Sequence, residues 1–320
     1  MVIKNILENN LIKVVDVGAS GGIHSRWSKF TSSYKGILFE PDPREYETLK
    51  LKSGKNLIVL NSALSDSKRT IDFHLCKKQE VSSVYLPNID FLEKFPNVGR
   101  FDVVKHIRIE ADTLNSQLIK HNIDDIDFIK IDTQGYELPI LKGATNYLDK
   151  VIGLEIEVEF AQMYKNQPLF DEVDSFIKGK GFDLIDIKRY YWKRKESTNT
   201  GIMTNTGIMK GQLVFGDALY FKSPEKVLIT ENINQDKIIR SICIYLVYGY
   251  LDLAQTLFYK ANSKGLIEKK YYNSMEVIIS KFNNTFFLPN FRGKGRIRNL
   301  FNKIFSVSAW SSGTDDTLGN

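Results

Sequence analysis

The stretch that most constrains the fold of this chain is VVDVGASGG at residues 14–22. Its β-branched apolar residues predict a buried strand, and the acid and the glycines predict a turn into a helix. Such a turn lets backbone N–H groups approach a ligand closely. A second acid, Glu40, ends the next apolar run at 36–39. Two carboxylates thus stand at the carboxyl ends of neighbouring parallel strands, where open α/β sheets bind their ligands. We therefore expect a nucleoside-bearing cofactor.

The spacing of the glycines discriminates between cofactors. Gly18, Gly21 and Gly22 form G-x-x-G-G, whereas the dinucleotide-binding turn has G-x-G-x-x-G. Asp16 beside the turn disfavours a pyrophosphate and favours a ligand that carries positive charge. S-adenosylmethionine, with its ammonium and sulfonium groups, meets that requirement. A purely structural turn is the alternative that this stretch alone leaves open.

Length and composition fit a globular α/β protein. The chain has 320 residues, of which 42% are hydrophobic and 26% are charged, enough for one large domain with additions or for two smaller domains. Two cysteines, Cys76 and Cys243, cannot form a disulfide framework, and no His/Cys cluster suggests zinc. Without a signal peptide or an apolar run long enough to span a bilayer, the protein is predicted to be cytoplasmic.

The positive charge is concentrated at the end of the chain. Residues 223–320 hold 13 Lys/Arg and 8 Asp/Glu of the 44 and 38 in the chain, which leaves 31 and 30 for residues 1–222. Because nucleic-acid enzymes usually carry a basic face around their site, we expect no nucleic-acid partner. Residues 292–305 combine five cations with an apolar stripe. This segment is predicted to be a basic amphipathic helix that either lies peripherally on a membrane or packs on other helices or a second subunit.

Strand and helix patterns alternate over residues 1–222 and predict a parallel sheet with right-handed crossovers. The predicted strands are 13–19, 36–40, 56–64, 70–75, 106–110, 127–132, 152–157, 182–187 and 213–221. The predicted helices are 23–33, 44–52, a helix from the N-cap Asp112 to Lys120, 138–148 and 167–179.

The alternating segment 70–75 is expected to cover the site. A tandem hexapeptide at 198–209 is interpreted as a flexible extension. Beyond Lys222, helices at 238–260 and 268–281 predict a helical appendage over 223–305, and residues 306–320 are predicted to be a disordered tail.

Five motifs occur in order along the first two thirds of the chain. They are DVGASGG at 16–22, FEPDP at 39–43, NSALSD at 61–66, IDFIKIDTQGYELPILKGA at 126–144 and LEIEVEF at 154–160. With these motifs the chain resembles the FkbM family of S-adenosylmethionine-dependent methyltransferases over roughly residues 10–222. The resemblance implies the α/β class I methyltransferase fold, a Rossmann-like mixed sheet of seven strands with helices on both faces. Its seventh strand lies antiparallel beside the fifth. A methyltransferase domain is therefore predicted for residues 1–222, with the helical appendage outside the resemblance.

The resemblance also assigns cofactor contacts to matching positions. It implies that Gly18 and its turn line the methionine part, that Glu40 binds the ribose hydroxyls, and that Ser65 and Asp66 meet the adenine. A carboxylate can accept two hydrogen bonds from a diol, and short polar groups can bind an adenine amine. Ser20 departs from the family pattern, which often has a second glycine there. The predicted cofactor-binding residues are Asp16, Gly18, Ala19, Ser20, Gly21, Glu40, Pro41, Ser65, Asp66 and Asp132.

Methyl transfer from a sulfonium requires a positioned nucleophile and the exclusion of water. A hydroxyl acceptor must also lose its proton, to a carboxylate base or with the help of a metal ion. Asp132 ends a strand on the ligand side, and Glu155, Glu157 and Glu159 share one face of the next strand. We take Asp132, Glu155 and Glu157 as catalytic candidates and Asp132 as the candidate ligand of a divalent metal. A helix N-cap role for Asp132 and a solvated face for the glutamates are the alternatives.

The resemblance favours an O-methyltransferase that acts on a hydroxyl of a carbohydrate in glycan or polysaccharide biosynthesis. Methylation of a lipid, a polyketide or another small metabolite by the same fold is an alternative acceptor class. A noncatalytic cofactor-binding scaffold is an alternative of a different kind. Asp16, Glu40 and Asp132, which are all present, argue against a loss of activity.

Overall fold

The computed structural model describes residues 6–7, 10–30, 33–198 and 211–283. Most of the tandem hexapeptide, the basic segment 292–305 and the tail 306–320 lie outside the described residues. The chain divides into two units. Among the described residues, the larger unit comprises Lys13–Ile23 and Lys35–Lys222, and the smaller unit comprises those up to Ile12, His24–Tyr34 and residues 223–283.

The larger unit is built around a sheet of seven strands. In chain order the strands of both its sheets are β1 (Ile12–Val17), β2 (Tyr34–Phe39), β3 (Leu57–Leu60), β4 (Ala63–Leu64), β5 (Arg69–Cys76), β6 (Val103–Asp112), β7 (Phe128–Ile131), β8 (Gly153–Glu159), β9 (Asp183–Trp192) and β10 (Gln212–Phe221). The large sheet has the order β3-β2-β1-β7-β8-β10-β9. β1 with β7, β7 with β8 and β2 with β3 pair in parallel, while β10 is antiparallel to both β8 and β9. The predicted mixed sheet of seven strands, with the last strand antiparallel beside the fifth, is confirmed.

The helices of the larger unit cover both faces of this sheet. They are α1 (Pro43–Lys50), α2 (Ile89–Leu92), α3 (Leu114–Lys120), α4 (Glu137–Lys142), α5 (Thr145–Leu148), α6 (Phe170–Gly179) and α7 (Lys195–Thr198). Successive residues of β2 enter different cores, since Ile37 and Phe39 pack in the main cluster with Leu141 of α4, whereas Leu38 packs with Leu49 of α1. The period of two in a strand explains this division. The sheet is thereby buried on both sides, as its apolar strands require.

A second, smaller sheet has the order β4-β6-β5, with β4 parallel and β5 antiparallel to β6. The prediction of one strand over 56–64 is wrong, because the chain leaves the large sheet after Leu60. Asn61 and Ser62 intervene, and Ala63 and Leu64 then pair with β6. The alternating segments predicted at 70–75 and 106–110 form the paired strands β5 and β6, each longer than predicted.

Several helix predictions are corrected by local chain geometry. The predicted helix 23–33 is a 3₁₀ helix at Ser25–Phe30. The predicted helix 138–148 is divided into α4 and α5, with Gly143 as the C-cap of α4. Asp112 is not the N-cap of α3, because Thr113 holds that position and its side chain accepts a hydrogen bond from the Ser116 N–H. Asp112 instead accepts from the Ser116 hydroxyl and from Gln117.

The smaller unit is helical. Its helices are α8 (Pro224–Leu228), α9 (Gln235–Val247), α10 (Leu251–Ser263) and α11 (Lys269–Asn283). The predicted helix 238–260 is two helices, because Gly249 adopts a left-handed φ of 91° between α9 and α10. Asn10 joins this unit through a hydrogen bond from its amide to the Asp236 carbonyl and a bond from Arg240. Among the helices of the described residues, none has both the length and the apolar character needed to cross a membrane.

Gly143 provides a test of the packing in the larger unit. A Cβ at this position would lie 2.1 Å from the backbone oxygen of Ser65, which cannot move without disturbing β4. We expect Gly143→Ala to lower the free energy of unfolding by about 1–3 kcal/mol, measured by urea denaturation. Gly179→Ala is the matched control, since a Cβ there meets nothing within 4 Å and alanine favours the helix. Equal midpoints for the two variants would contradict this packing.

Candidate functional site

A cavity of about 320 Å³ lies in the larger unit at the carboxyl ends of β1, β2 and β7. One side is formed by the large sheet and its turns, through Gly18, Ser20, Gly21, Glu40, Pro41 and Asp132. The opposite side is apolar and comes mainly from the second sheet, through Leu64, Ile71, Phe73 and Ile109, with Val84 beside them. The site therefore lies where open α/β sheets bind their ligands.

Gly18 makes the turn after β1 possible. Its φ is 74°, and a Cβ would lie 1.9 Å from the backbone oxygen of Asp132, so only glycine fits. The Gly18 N–H donates to the Phe39 carbonyl oxygen at 3.0 Å, which fixes the turn to the end of β2. Gly21 also has a left-handed φ, and its N–H donates to Glu45 at 2.9 Å. These hydrogen bonds and the close contact with Asp132 therefore fix the conformation of the turn that the glycine spacing predicted.

Asp16 and Asp132 lie on either side of one lysine. The Lys130 ammonium is 3.8 Å from Asp16 Oδ1 and 3.3 Å from Asp132 Oδ2. Burial raises the pKa of Asp16 to about 6, although Lys130 acts in the opposite direction. Burial lowers the pKa of Lys130, but Asp132 and Asp16 raise it by more, so the amine stays protonated. Asp16 Oδ1 is fully buried with Lys130 as its charged neighbour, and Asp16 is not among the residues that line the cavity.

Glu40 lies at the end of β2 with only 5% of its surface exposed. Its Oε1 accepts a hydrogen bond from the Asp42 N–H at 2.9 Å. Burial raises the pKa of Glu40 to about 7, and the nearby carboxylates Asp42 and Glu45 add to that effect. Glu40 and Pro41 line the cavity, so the residues present fit the ribose side of the cofactor that the resemblance implies.

Asp132 keeps its charge in the cavity wall. Burial raises its pKa, but the Lys130 ammonium and a 3.1 Å hydrogen bond from Gln134 Nε2 bring the pKa below its ordinary value. Gln134 itself holds a left-handed φ of 59°. The predicted alternative, an N-cap role for Asp132, is wrong. Helix α4 begins at Glu137 after Tyr136, and Glu137 Oε1 accepts from the N–H groups of Thr133 and Gly135.

The three glutamates of β8 share one face, as their alternation predicted, but that face is not solvated. Glu155, Glu157 and Glu159 are 6%, 6% and 1% exposed because neighbouring strands and helices cover β8. None of them lines the cavity. Glu157 is connected to the cavity through Gln134, whose Nε2 donates to Glu157 Oε2 at 2.7 Å. Burial, followed by the charge of neighbouring acids, raises the pKa values of Glu157 and Glu159 well above the ordinary value.

Like Asp16, three other predicted cofactor residues, Ala19, Ser65 and Asp66, are not among the residues that line the cavity. Ala19 packs with Leu38 and Leu49. The Ser65 hydroxyl is 2.9 Å from the Tyr136 hydroxyl and also hydrogen-bonds to Asp66. Asp66 forms an ion pair of 3.3 Å with Arg69.

The sequence reasoning missed several polar residues of the wall, among them Gln134 and Tyr136. The available signal was their place in the TQGY turn directly after Asp132. It did not indicate the site, because the turn was interpreted only as a connection to the next helix. The alternation at 70–75 did predict a strand that covers the site, and Ile71 and Phe73 are the residues that do so.

Comparison with known proteins gives a family and several weak structural likenesses. No curated protein matches the chain. Among solved structures, the TehB-like SAM-dependent methyltransferase from Corynebacterium glutamicum is 11% identical, covers 69% of this chain and 88% of its own, and has a TM-score of 0.31. TrmK of M. capricolum, solved with S-adenosyl-homocysteine, is 10% identical, with 88% and 94% covered and a TM-score of 0.31.

Precorrin-6y C5,15-methyltransferase from Geobacter metallireducens is 10% identical, with 69% of this chain and 86% of its own covered and a TM-score of 0.32. Likenesses this weak indicate no acceptor for the present chain.

The model of the methyltransferase FkbM domain matches residues 16–184, which is more than half of the chain. That match contains the glycine turn, Glu40, Asp132 and the glutamates of β8. The chain therefore belongs to the FkbM methyltransferase family, and its methyl donor is S-adenosylmethionine.

Proposed function

We propose that this protein transfers a methyl group from S-adenosylmethionine to a hydroxyl of a carbohydrate in glycan or polysaccharide biosynthesis. The observation that carries the proposal is the ionised Asp132 carboxylate, which lines the cavity next to Gly18. The bound cofactor supplies an electrophilic methyl group. Asp132 accepts a hydrogen bond from the acceptor hydroxyl, orients its oxygen toward the methyl group and takes the proton as the new C–O bond forms.

The charges of the cavity wall support an acceptor without phosphate groups. Apart from Glu40, which is assigned to the cofactor ribose, its acidic lining residues are Asp42, Glu80 and Asp132, and no lysine or arginine is among the described residues that line it. Carboxylates accept hydrogen bonds from hydroxyl groups and repel phosphates. These features favour a neutral sugar and argue against a nucleic acid as the acceptor.

The apolar wall supports the same acceptor class. Ile71, Phe73 and Ile109 face the cavity across from the carboxylates. A sugar ring has apolar C–H faces and hydroxyl groups around its edge, so a cavity with one apolar and one acidic side fits its two kinds of surface. The apolar side also displaces water, which competes with the acceptor for the methyl group.

The segment 292–305 stays a prediction, because it lies outside the described residues. Peripheral membrane contact and contact with a second subunit are both compatible with its sequence. Of the two, only membrane contact would bring the enzyme close to lipid-linked glycans.

A methyl-transfer screen tests the acceptor. Purified protein is incubated with labelled S-adenosylmethionine and with neutral oligosaccharides, phosphorylated sugars, lipids or small hydroxylated metabolites. We expect label in the neutral oligosaccharides, in a form stable to mild alkali, because an ether resists alkali whereas a methyl ester does not. Label confined to lipids or small metabolites would support the alternative acceptors. Cofactor binding without transfer to any class would support a scaffold.

The raised pKa values of Glu40 and Asp16 predict that cofactor affinity depends on pH. Both carboxylates lose a proton between about pH 5 and about pH 8, and their charged forms attract the cationic cofactor. Affinity measured by isothermal titration should therefore rise over this range, by up to about tenfold for each pKa that falls by one unit on binding. Glu40→Gln should remove part of the dependence. A constant affinity across the range would contradict the assignment.

Asp132→Asn tests the role of the carboxylate. The substitution keeps the shape but removes the charge, so we expect turnover to fall by about 100-fold or more, with cofactor affinity changed far less. Asp72→Asn is the control, because Asp72 is exposed on β5 and paired only with exposed Arg108 at 3.3 Å. Thermal melts confirm that both variants fold. Near-normal turnover of Asp132→Asn would exclude Asp132 as the group that accepts the proton.

A further inference from the structure

Three glutamates that do not line the cavity converge behind it. Glu137 begins α4, and Glu157 and Glu159 lie on the same face of β8. One carboxylate oxygen of each lies within 4.8 Å of the others. The exposed fractions of the three residues are 1%, 6% and 1%. We call this set the glutamate cluster.

The described residues supply no positive charge to the glutamate cluster. No described lysine or arginine forms an ion pair with any of its three members, whereas Lys130 balances Asp16 and Asp132 close by. Burying several carboxylates without a counter-charge is strongly unfavourable, so the cluster must hold either protons or a cation.

The hydrogen bonds around the cluster orient two carboxylates and leave the third short of a partner. Glu137 Oε1 accepts from the Thr133 N–H at 2.7 Å and from the Thr133 hydroxyl at 3.0 Å. Glu157 Oε2 accepts from Gln134. Glu159 Oε1 is fully buried and accepts no hydrogen bond of normal geometry from a described residue, and Gln167, which acts on this carboxyl group as a donor, is a neutral amide that brings no counter-charge. Fixed carboxylates beside an unpartnered buried oxygen are the arrangement expected of ligands held in place for an ion.

We propose that Glu137, Glu157 and Glu159 bind a hard divalent cation of the Mg²⁺, Ca²⁺ or Mn²⁺ class. Carboxylate oxygens are the preferred ligands of these ions, and no sulfur or imidazole ligand is present to favour zinc or copper. Opposite ligands of a Ca²⁺ ion are separated by about 4.6–5.2 Å, so oxygens within 4.8 Å of one another can share one ion. This site is distinct from the metal role predicted for Asp132, whose oxygens are bonded to Lys130 and Gln134.

The cation has a consequence for the cavity, because Gln134 connects the two. Its Nε2 donates both to Glu157 and to Asp132, and its Oε1 accepts from the Tyr164 hydroxyl at 3.0 Å. An ion that fixes Glu157 therefore fixes the amide that orients Asp132. The ion acts as a positioning group behind the cavity and does not touch the acceptor.

Direct metal binding tests the proposal without any assay of methyl transfer. Full-length protein is stripped with chelator and titrated with Mn²⁺, and the free ion is followed by electron paramagnetic resonance. We expect one tight site per chain, from which Mg²⁺ or Ca²⁺ displaces Mn²⁺. Glu159→Gln and Glu157→Gln should each weaken Mn²⁺ binding by more than about tenfold. Glu155→Gln is the matched control, since Glu155 is buried on the same strand but lies outside the cluster, and it should bind Mn²⁺ as the wild type does.

Two results would overturn the proposal. The first is that the wild-type protein binds no Mn²⁺ at millimolar concentration, which would mean that the glutamate cluster holds protons instead of a cation. Binding that survives unchanged in both glutamine variants places the ion elsewhere. Circular dichroism checks the fold of each variant. If Glu159→Gln does not fold, Glu159→Asp replaces it. That variant keeps the charge but has a side chain shorter by one methylene group. Failure of the acceptor screen would leave these results unaffected.

Discussion

The contact between Gly18 and the backbone of Asp132 is the constraint on which the rest of the site depends. β1 and β7 are parallel neighbours, so their carboxyl ends arrive at the same edge of the sheet. The turns that follow can lie side by side only because residue 18 is glycine. A Cβ atom at this position would lie 1.9 Å from the backbone oxygen of Asp132. The turn assigned to the cofactor and the carboxylate proposed to act on the acceptor are thereby held at a fixed separation, as an in-line displacement requires.

The charges of the two acids around this contact, Asp16 and Asp132, depend on one partly buried lysine. Lys130 is placed between Asp16 and Asp132, and it holds the pKa of Asp132 low while that of Asp16 stays raised by burial. The two carboxylates of one ion-pair network thus differ in how readily they take up a proton.

Much of the fold could be predicted because it is encoded locally. Apolar strands ended by glycine or acidic residues predicted the strands of the large sheet, and alternation in β8 placed its three glutamates on one face. The strand at 56–64 was wrong because Ala63 and Leu64 pair with Ala111 and Asp112, a contact distant in sequence. The helix 138–148 was wrong because its apolar spacing continues across Gly143, where the chain turns.

Part of the site could also be predicted from the sequence. Gly18, Glu40 and Asp132 follow strands, and the structure places all three in one cavity wall. The meeting of Glu137 with Glu157 and Glu159 was not predictable, because one residue belongs to a helix and the others to a strand. No common period relates them. The burial of the glutamates likewise depends on which elements cover β8, and a short window of sequence does not contain that information.

The two walls of the cavity belong to separate hydrogen-bond ladders. The cofactor side is attached to the large sheet, while Ile71, Phe73 and Ile109 belong to the sheet of β4, β5 and β6. Side chains of β5 alternate, so the residues that face the cavity can change in size while main-chain pairing with β6 is kept. If the acceptor contacts this wall as we propose, substitutions at a few inward positions of one small sheet can change the acceptor while the residues on the cofactor side stay the same.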